Sequence, residues 1–175
     1  MTIGQSLWHH RATRAFLGLG ANLGDRLANL QGAVARLDRI AGLHVLRSSR
    51  VYETRPVGPP QGDFLNAVIE VESTLDAADL LAASLRVEGE MGRVRRERWG
   101  PRTIDIDVLT YGRTSITSPG LVIPHPRMHE RIFVLAPLLE LETDPMLPGG
   151  RRVASLQLRD DVTGVRPYAP PLVDN

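Results

Sequence analysis

The chain has 175 residues, enough for one domain with a continuous hydrophobic core, and its formal charge of +1 gives bulk electrostatics no case for a nucleic-acid or membrane surface. It has no cysteine, which excludes disulfides and thiolate metal ligands and makes the cytoplasm the default expectation. All 21 basic residues are arginine, so neither a P-loop lysine nor a protein-kinase strand lysine can be built, and any nucleotide chemistry must run on guanidinium groups.

Residues 1–14 contain His9, His10, Arg11 and Arg14 but no apolar run of signal type, and read as a disordered extension. Ala15 to Leu19 is a short apolar run ending at Gly20. Leu27, Leu30, Val34, Leu37 and Ile40 then form one helical stripe, with Asn22 or Asp25 as cap and Gly42 as stop. His44 to Glu53 and Phe64 to Ser73 read as extended segments, separated by a loop with three prolines and two glycines. Asp76 or Asp79 opens a second helix carrying Leu80, Leu81, Leu85 and Val87, and Thr103 to Tyr111 reads as a further strand. The order β-α-β-β-α-β predicts an α+β sandwich of ferredoxin type, with two helices on one face of an antiparallel sheet. Beyond Gly112 the chain is irregular, apart from a short apolar helix-like run from Phe133 to Leu141. The domain is expected over residues 15–150, with residues 151–175 packed on it or trailing from it.

The strongest chemical signal is Asp105-Ile106-Asp107. On a strand the isoleucine faces one side and both carboxylates the other, roughly 6 to 7 Å apart. Asp is disfavoured in strands and like charges repel, so a bound cation would explain the pair; Mg²⁺, completed by water and phosphate, suits it. A solvated edge-strand face is the alternative. Just upstream, Arg93, Arg95, Arg96, Arg98 and Arg102 fall within one Gly- and Pro-broken segment that also holds Trp99. Cations beside paired carboxylates are what a polyphosphate–Mg²⁺ complex needs, although a helix C-terminus or a nucleic-acid patch stacking on Trp99 would also use some of them.

Pro124-His125-Pro126-Arg127-Met128-His129-Glu130-Arg131 puts two imidazoles and two more arginines on a stiff loop. The prolines disfavour a helical zinc pair of His125 and His129, and His125 and Arg131 serve better as donors to phosphate. Gly18-Leu19-Gly20-Ala21-Asn22-Leu23-Gly24 has the wrong spacing for a dinucleotide fingerprint and reads as a tight turn into a helix.

Taken in order, the Gly18–Asp25 segment, Tyr52-Glu53-Thr54-Arg55-Pro56-Val57-Gly58, Phe64-Leu65-Asn66, Arg98-Trp99-Gly100-Pro101-Arg102-Thr103-Ile104-Asp105-Ile106-Asp107 and Pro124-His125-Pro126-Arg127-Met128 resemble the motifs of the hydroxymethyl-dihydropterin pyrophosphokinases. The resemblance runs from about Phe16 to about Pro148. It implies diphosphate transfer from ATP to 6-hydroxymethyl-7,8-dihydropterin in folate biosynthesis, giving AMP. It also implies two Mg²⁺ ions on Asp105 and Asp107, and Arg93 and Arg102 as catalytic residues. ATP contacts are implied for Glu88, Arg95, Trp99, His125 and Arg131. The pterin would lie between Phe64 and Phe133 and be read by Asn66 and the backbone around Thr54 and Val57. A monomer is the expected state, and neither nucleic acid nor membrane is expected as a partner. Leu85 and Pro126 stand where some members carry a glutamine and a tyrosine. Arg93 to Arg102 is expected to act as a lid. The rival readings are an RNA-binding domain of the same architecture, which would need exposed aromatics where Asp105 stands, and an inert nucleotide-binding module.

Overall fold

The computed structural model describes residues 12–56, 60–93, 100–153, 156 and 164–173. Strand β1 (Thr13–Ala21) starts two residues before the apolar run and shows why the sheet has two different faces. Ala15, Leu17, Leu19 and Ala21 point one way and are buried, while Arg14, Phe16, Gly18 and Gly20 point the other. Helices α1 (Arg26–Leu37) and α2 (Ala77–Glu90) cover the first face. Each is opened by an aspartate: Asp25 Oδ1 accepts from Ala28 N at 3.0 Å and Asp76 Oδ1 from Asp79 N at 2.8 Å. Each then buries its apolar stripe, Leu30, Ala33, Val34 and Leu37 in α1, and Leu80, Ala83 and Val87 in α2.

The extended segment expected over His44 to Glu53 is two strands, β2 (Leu43–Ser48) and β3 (Val51–Thr54). They lie end to end along β4 (Phe64–Ser73), β2 pairing from Leu43↔Ser73 to Ser48↔Ile69 and β3 from Tyr52↔Asn66 to Thr54↔Phe64. Ser49 bridges the break: its N–H donates to Val68 O at 2.8 Å and its Oγ accepts from Val68 N at 3.0 Å, so no ladder group of Val68 is left open. With β5 (Asp105–Tyr111), the main sheet runs β5-β1-β4-β3, all antiparallel, which is the expected ferredoxin-like β-α-β-β-α-β arrangement with one strand divided. A short hairpin of β6 (Ile116–Ser118) and β7 (Leu121–Ile123) follows β5.

Two further elements lie outside that pattern. The Phe133–Leu141 run is helix α3 (Ile132–Leu141), and it forms a third layer on the opposite face. There Val134, Leu135, Leu138 and Leu141 pack with Phe16, Val68 and Leu109 in a second core. Leu135 and Leu138 are fully buried, each worth about 1.5–3 kcal/mol relative to exposure. The C-terminal part of the chain adds β8 (Val165–Ala169) to the free edge of β3, and Leu172 N and Val173 N then donate to Ser48 Oγ at 2.6 and 3.1 Å. No helix among the described residues is long and apolar enough to cross a membrane.

The C-terminus of α3 is held by charge. Glu70 of β4 is buried on the α3 face and accepts from Arg14 Nε and, at 2.6 Å, from Arg47 Nε; Arg47 also donates to Leu141 O at 2.8 Å. Burial pushes the Glu70 carboxyl up, but the hydrogen bonds and charges of Arg14 and Arg47 more than offset this and hold it below its ordinary value. A lowered folded value contributes stability that is complete above the unfolded pKa of about 4.3 and lost as pH falls through the folded one. Glu70→Gln is therefore expected to cost about 1–3 kcal/mol at pH 7, by urea denaturation. That deficit should shrink as pH falls below the unfolded value of about 4.3; a pH-independent deficit would assign it to packing instead.

Candidate active site

On the α3 face, two rows of residues cross the sheet in register. Asn66 of β4, Gly20 of β1 and Asp105 of β5 form one; Val68, Gly18 and Asp107 form the next. Because the central residue of each row has no side chain, the sheet itself floors a cleft of about 1050 Å³. Its walls include Thr54, Phe64, Arg102, Arg131 and Phe133. A Cβ at position 20 would stand 3.1 Å from Asn66 Oδ1, so any larger residue there would push on the amide. Gly18 and Gly20 are thus strand residues under the cleft, which corrects their reading as a tight turn; the turn begins after Ala21 and ends at the Asp25 cap.

The acidic end is built by β5. Ile104, Ile106 and Val108 are buried in the α1/α2 core, which forces Asp105 and Asp107 to the cleft side. Asp105 is bracketed by two guanidinium groups: Arg93 Nη1 lies 2.6 Å from Oδ1, and Arg102 Nη1 bonds Oδ2. Arg93 also pairs with Glu88, which does not line the cleft; it is 2% exposed beneath β5, where its Oε1 accepts from Ile106 N at 2.7 Å. Burial raises the Glu88 pKa, and the Ile106 N–H and Arg93 offset this only in part. Gly92, at φ +78°, turns the chain after α2 so that Arg93 N returns to Glu88 O at 3.0 Å and the side chain enters the cluster.

Asp107 has looser company, with Arg131 Nη1 at 3.8 Å and His125 Nε2 at 4.0 Å. Protein surrounds it on most sides, yet 38% of the side chain meets solvent through the cleft. Its pKa is raised by desolvation first and by the Asp105 charge second. Burial likewise lowers His125 and Arg131, opposed in each by Asp107. The loop bearing these donors is anchored by Met128, fully buried in the second core at a 3₁₀ turn over Met128–Glu130.

At the other end, Asn66 and Thr54 are both buried, and Asn66 Nδ2 donates to Thr54 Oγ1 at 2.7 Å. This fixes the amide so that Oδ1 faces the space over Gly20. Phe64 and Phe133 enter from the start of β4 and the start of α3. Val57, Arg95 and Trp99, and most of the expected lid, lie outside the described residues. Leu85 is exposed on α2.

Asn22, read from sequence only as a possible cap, joins the two ends. It is 8% exposed; its Oδ1 accepts from Arg102 N at 2.7 Å, and its Nδ2 donates to Gln61 Oε1 at 2.9 Å and Gly62 O at 3.2 Å. Its only sequence signal is a short amide directly after a strand, which is also a cap signal. Among the described residues no three Asp, Glu or His side chains gather to hold a metal by themselves. The donors offered are two carboxylates with raised mutual repulsion in an open cleft, a set that fits Mg²⁺ when phosphate and water complete it and does not fit a closed structural site.

The model of the family described as 7,8-dihydro-6-hydroxymethylpterin-pyrophosphokinase (HPPK) matches residues 16–143. Among curated proteins, the chain is 43% identical over 159 residues to the 2-amino-4-hydroxy-6-hydroxymethyldihydropteridine pyrophosphokinase of Synechocystis, covering 90% of this chain and 82% of that one. It is 44% identical over 154 residues to the protein of that name in Methylorubrum extorquens, covering 87% and 97%. Its fold is similar to solved Plasmodium falciparum HPPK-DHPS structures, for example with TM-score 0.57 at 15% identity over 71% of this chain, which spans 39% of that longer one. The chain belongs to the hydroxymethyl-dihydropterin pyrophosphokinase family of folate-biosynthesis enzymes.

Proposed function

We propose that the protein transfers the diphosphate of ATP to the hydroxymethyl oxygen of 6-hydroxymethyl-7,8-dihydropterin, by attack at the β-phosphorus, releasing AMP. The observation that carries this reading is the row Asn66–Gly20–Asp105: an amide fit to read a heterocycle and a carboxylate fit for phosphate chemistry stand two strand spacings apart, about 10 Å, over a bare glycine floor.

Each end supplies its part. Asn66 Oδ1, oriented by Thr54, accepts from the N–H groups on the pterin edge, while Phe64 and Phe133 cover the ring faces. Arg93, Arg102, His125 and Arg131 donate to phosphate oxygens, and Arg95 and Trp99, outside the described residues, are assigned to ATP by the family resemblance. Glu88 acts through Arg93, holding its guanidinium against Asp105. Two Mg²⁺ ions held by Asp105 and Asp107 would neutralise phosphate charge. No described side chain stands out as a strong base for the alcohol. The chain's contribution is therefore to align the two substrates and to place cationic donors where negative charge develops.

The direct test is an assay with ATP, Mg²⁺ and the pterin, in which AMP and not ADP should form; ADP would refute β-attack. Asp105→Asn and Asp107→Asn should each lower turnover at least about 100-fold, or about 2.7 kcal/mol. Their stabilities should differ. Asp107→Asn relieves repulsion with little lost, whereas Asp105→Asn leaves Arg93 and Arg102 without their shared anion and should melt lower. Near-normal turnover in either variant would remove the metal assignment.

Arg102→Lys keeps the charge but loses the fork. A loss of at least about tenfold in turnover, or about 1.4 kcal/mol, is expected from steady-state kinetics at saturating substrates. A fully active lysine variant would reduce Arg102 to a general electrostatic role.

A further inference from the structure

The heterocycle end of the cleft is pinned from the far side of the sheet. Side chains alternate along β3, so Thr54 faces the cleft and Glu53 faces the α1 side, where its cross-strand partner Leu65 is buried in the α1/α2 core. Arg26, the first residue of α1, waits there. A single nitrogen, Nη1, donates to Glu53 Oε1 at 3.0 Å and to the backbone carbonyl of Asp63 at 2.9 Å. These acceptors belong to the residues immediately before Thr54 and immediately before Phe64, which are cross-strand partners. One guanidinium therefore ties β3 to β4 where the two strands diverge into the Pro- and Gly-rich loop.

The staple is itself fixed on two further sides. The Arg26 guanidinium lies 5.6 Å from the centre of the Tyr168 ring on β8. Glu53 Oε2 accepts from Arg166 Nη2 at 2.6 Å and from Arg166 Nε at 2.9 Å, so β8 holds the carboxylate that Arg26 uses. The side chains of Arg26 and Glu53 are 24% and 13% exposed, which places the pair out of full solvent screening. Without Nη1, the Asp63 carbonyl loses this donor and the strand ends can spread. The first contact to suffer is the 2.7 Å bond from Asn66 Nδ2 to Thr54 Oγ1 that orients the amide.

We propose that Arg26 is a positioning residue for the pterin half of the cleft: acting through Glu53 and the Asp63 carbonyl, it sets the spacing of Thr54 and Phe64 and hence the affinity for the heterocycle, while touching neither substrate. The inference rests on the reaction proposed above, and its test keeps the two apart. Steady-state kinetics would be measured for the wild-type protein, Arg26→Met and Arg26→Lys. Pterin fluorescence titration in the presence of Mg²⁺ and a non-reactive ATP analogue, and thermal melts, would run alongside.

Arg26→Met should raise KM and Kd for the pterin at least fivefold, with kcat at saturation and KM for ATP within twofold of wild type. Arg26→Lys, which keeps the charge with one nitrogen, should fall between. Glu53→Gln in the Arg26→Met background should add little, because the two act as one unit. A pterin KM within twofold of wild type in folded Arg26→Met would overturn the proposal, as would equal rises for pterin and ATP, the mark of general loosening. If Arg26→Met does not fold, Arg26→Lys and single Glu53→Gln decide by the same criterion. If the wild-type protein forms no AMP, the reaction falls, and the pterin titration still decides the role of Arg26.

Discussion

Everything at this site follows from two like charges held side by side on one face of a strand. Asp105 and Asp107 cannot turn away, because Ile104, Ile106 and Val108 fix β5 by burying the opposite face in the α1/α2 core. Burial and the Asp105 charge push Asp107 toward its neutral form, and nearby cations oppose this. The cations beside the pair are arginines, with Arg93 and Arg102 on Asp105 and Arg131 within 3.8 Å of Asp107. A metal–polyphosphate complex offers the same groups another pairing, metal to carboxylate and guanidinium to phosphate. The donors such a complex needs are thus already gathered around the two carboxylates.

The rest of the fold makes that cluster useful. Gly18 and Gly20 clear the floor opposite Asp107 and Asp105, and the same register brings Asn66 to the other side of Gly20. Helix α3 closes the cleft with Phe133 and is clamped at its far end by buried Glu70 through Arg47, and by Arg50 and Tyr52, which donate to its own Glu140. Asn22 ties the Arg102 segment to Gln61 and Gly62, and Arg26 closes the neck of the same loop from behind. The substrate-facing residues thus sit on sheet and helix ends whose positions are set by buried polar contacts.

Local pattern was enough for the elements that carry their own period. The helical stripes of α1 and α2, the alternation around Asp105 and the arginine-rich segment beside it are each visible in a few consecutive residues. Three features were not, because they depend on partners remote in sequence. The break between β2 and β3 is legible only once Ser49 is seen to satisfy Val68. Helix α3 is so apolar that its composition does not say which sheet face it covers. Strand β8 is short and contains Pro167, tolerable because it sits at an edge. At the site, Arg93, Arg102, Asp105 and Asp107 were legible as one charge cluster. The floor of glycines, the inward turn of Glu88 toward Arg93, and the staples made by Asn22 and Arg26 required the register of the sheet.

The most direct test is a crystal structure with Mg²⁺, a non-reactive ATP analogue and the pterin bound. If the arginines occupy the place of the metal on the carboxylates, Mg²⁺ will be found on Asp105 and Asp107, Arg102 will have left Asp105 for a phosphate oxygen, and the pterin will lie between Phe64 and Phe133 with Asn66 Oδ1 on its edge. A complex in which Arg93 and Arg102 stay on Asp105, with the metal held by phosphates alone, would contradict that exchange.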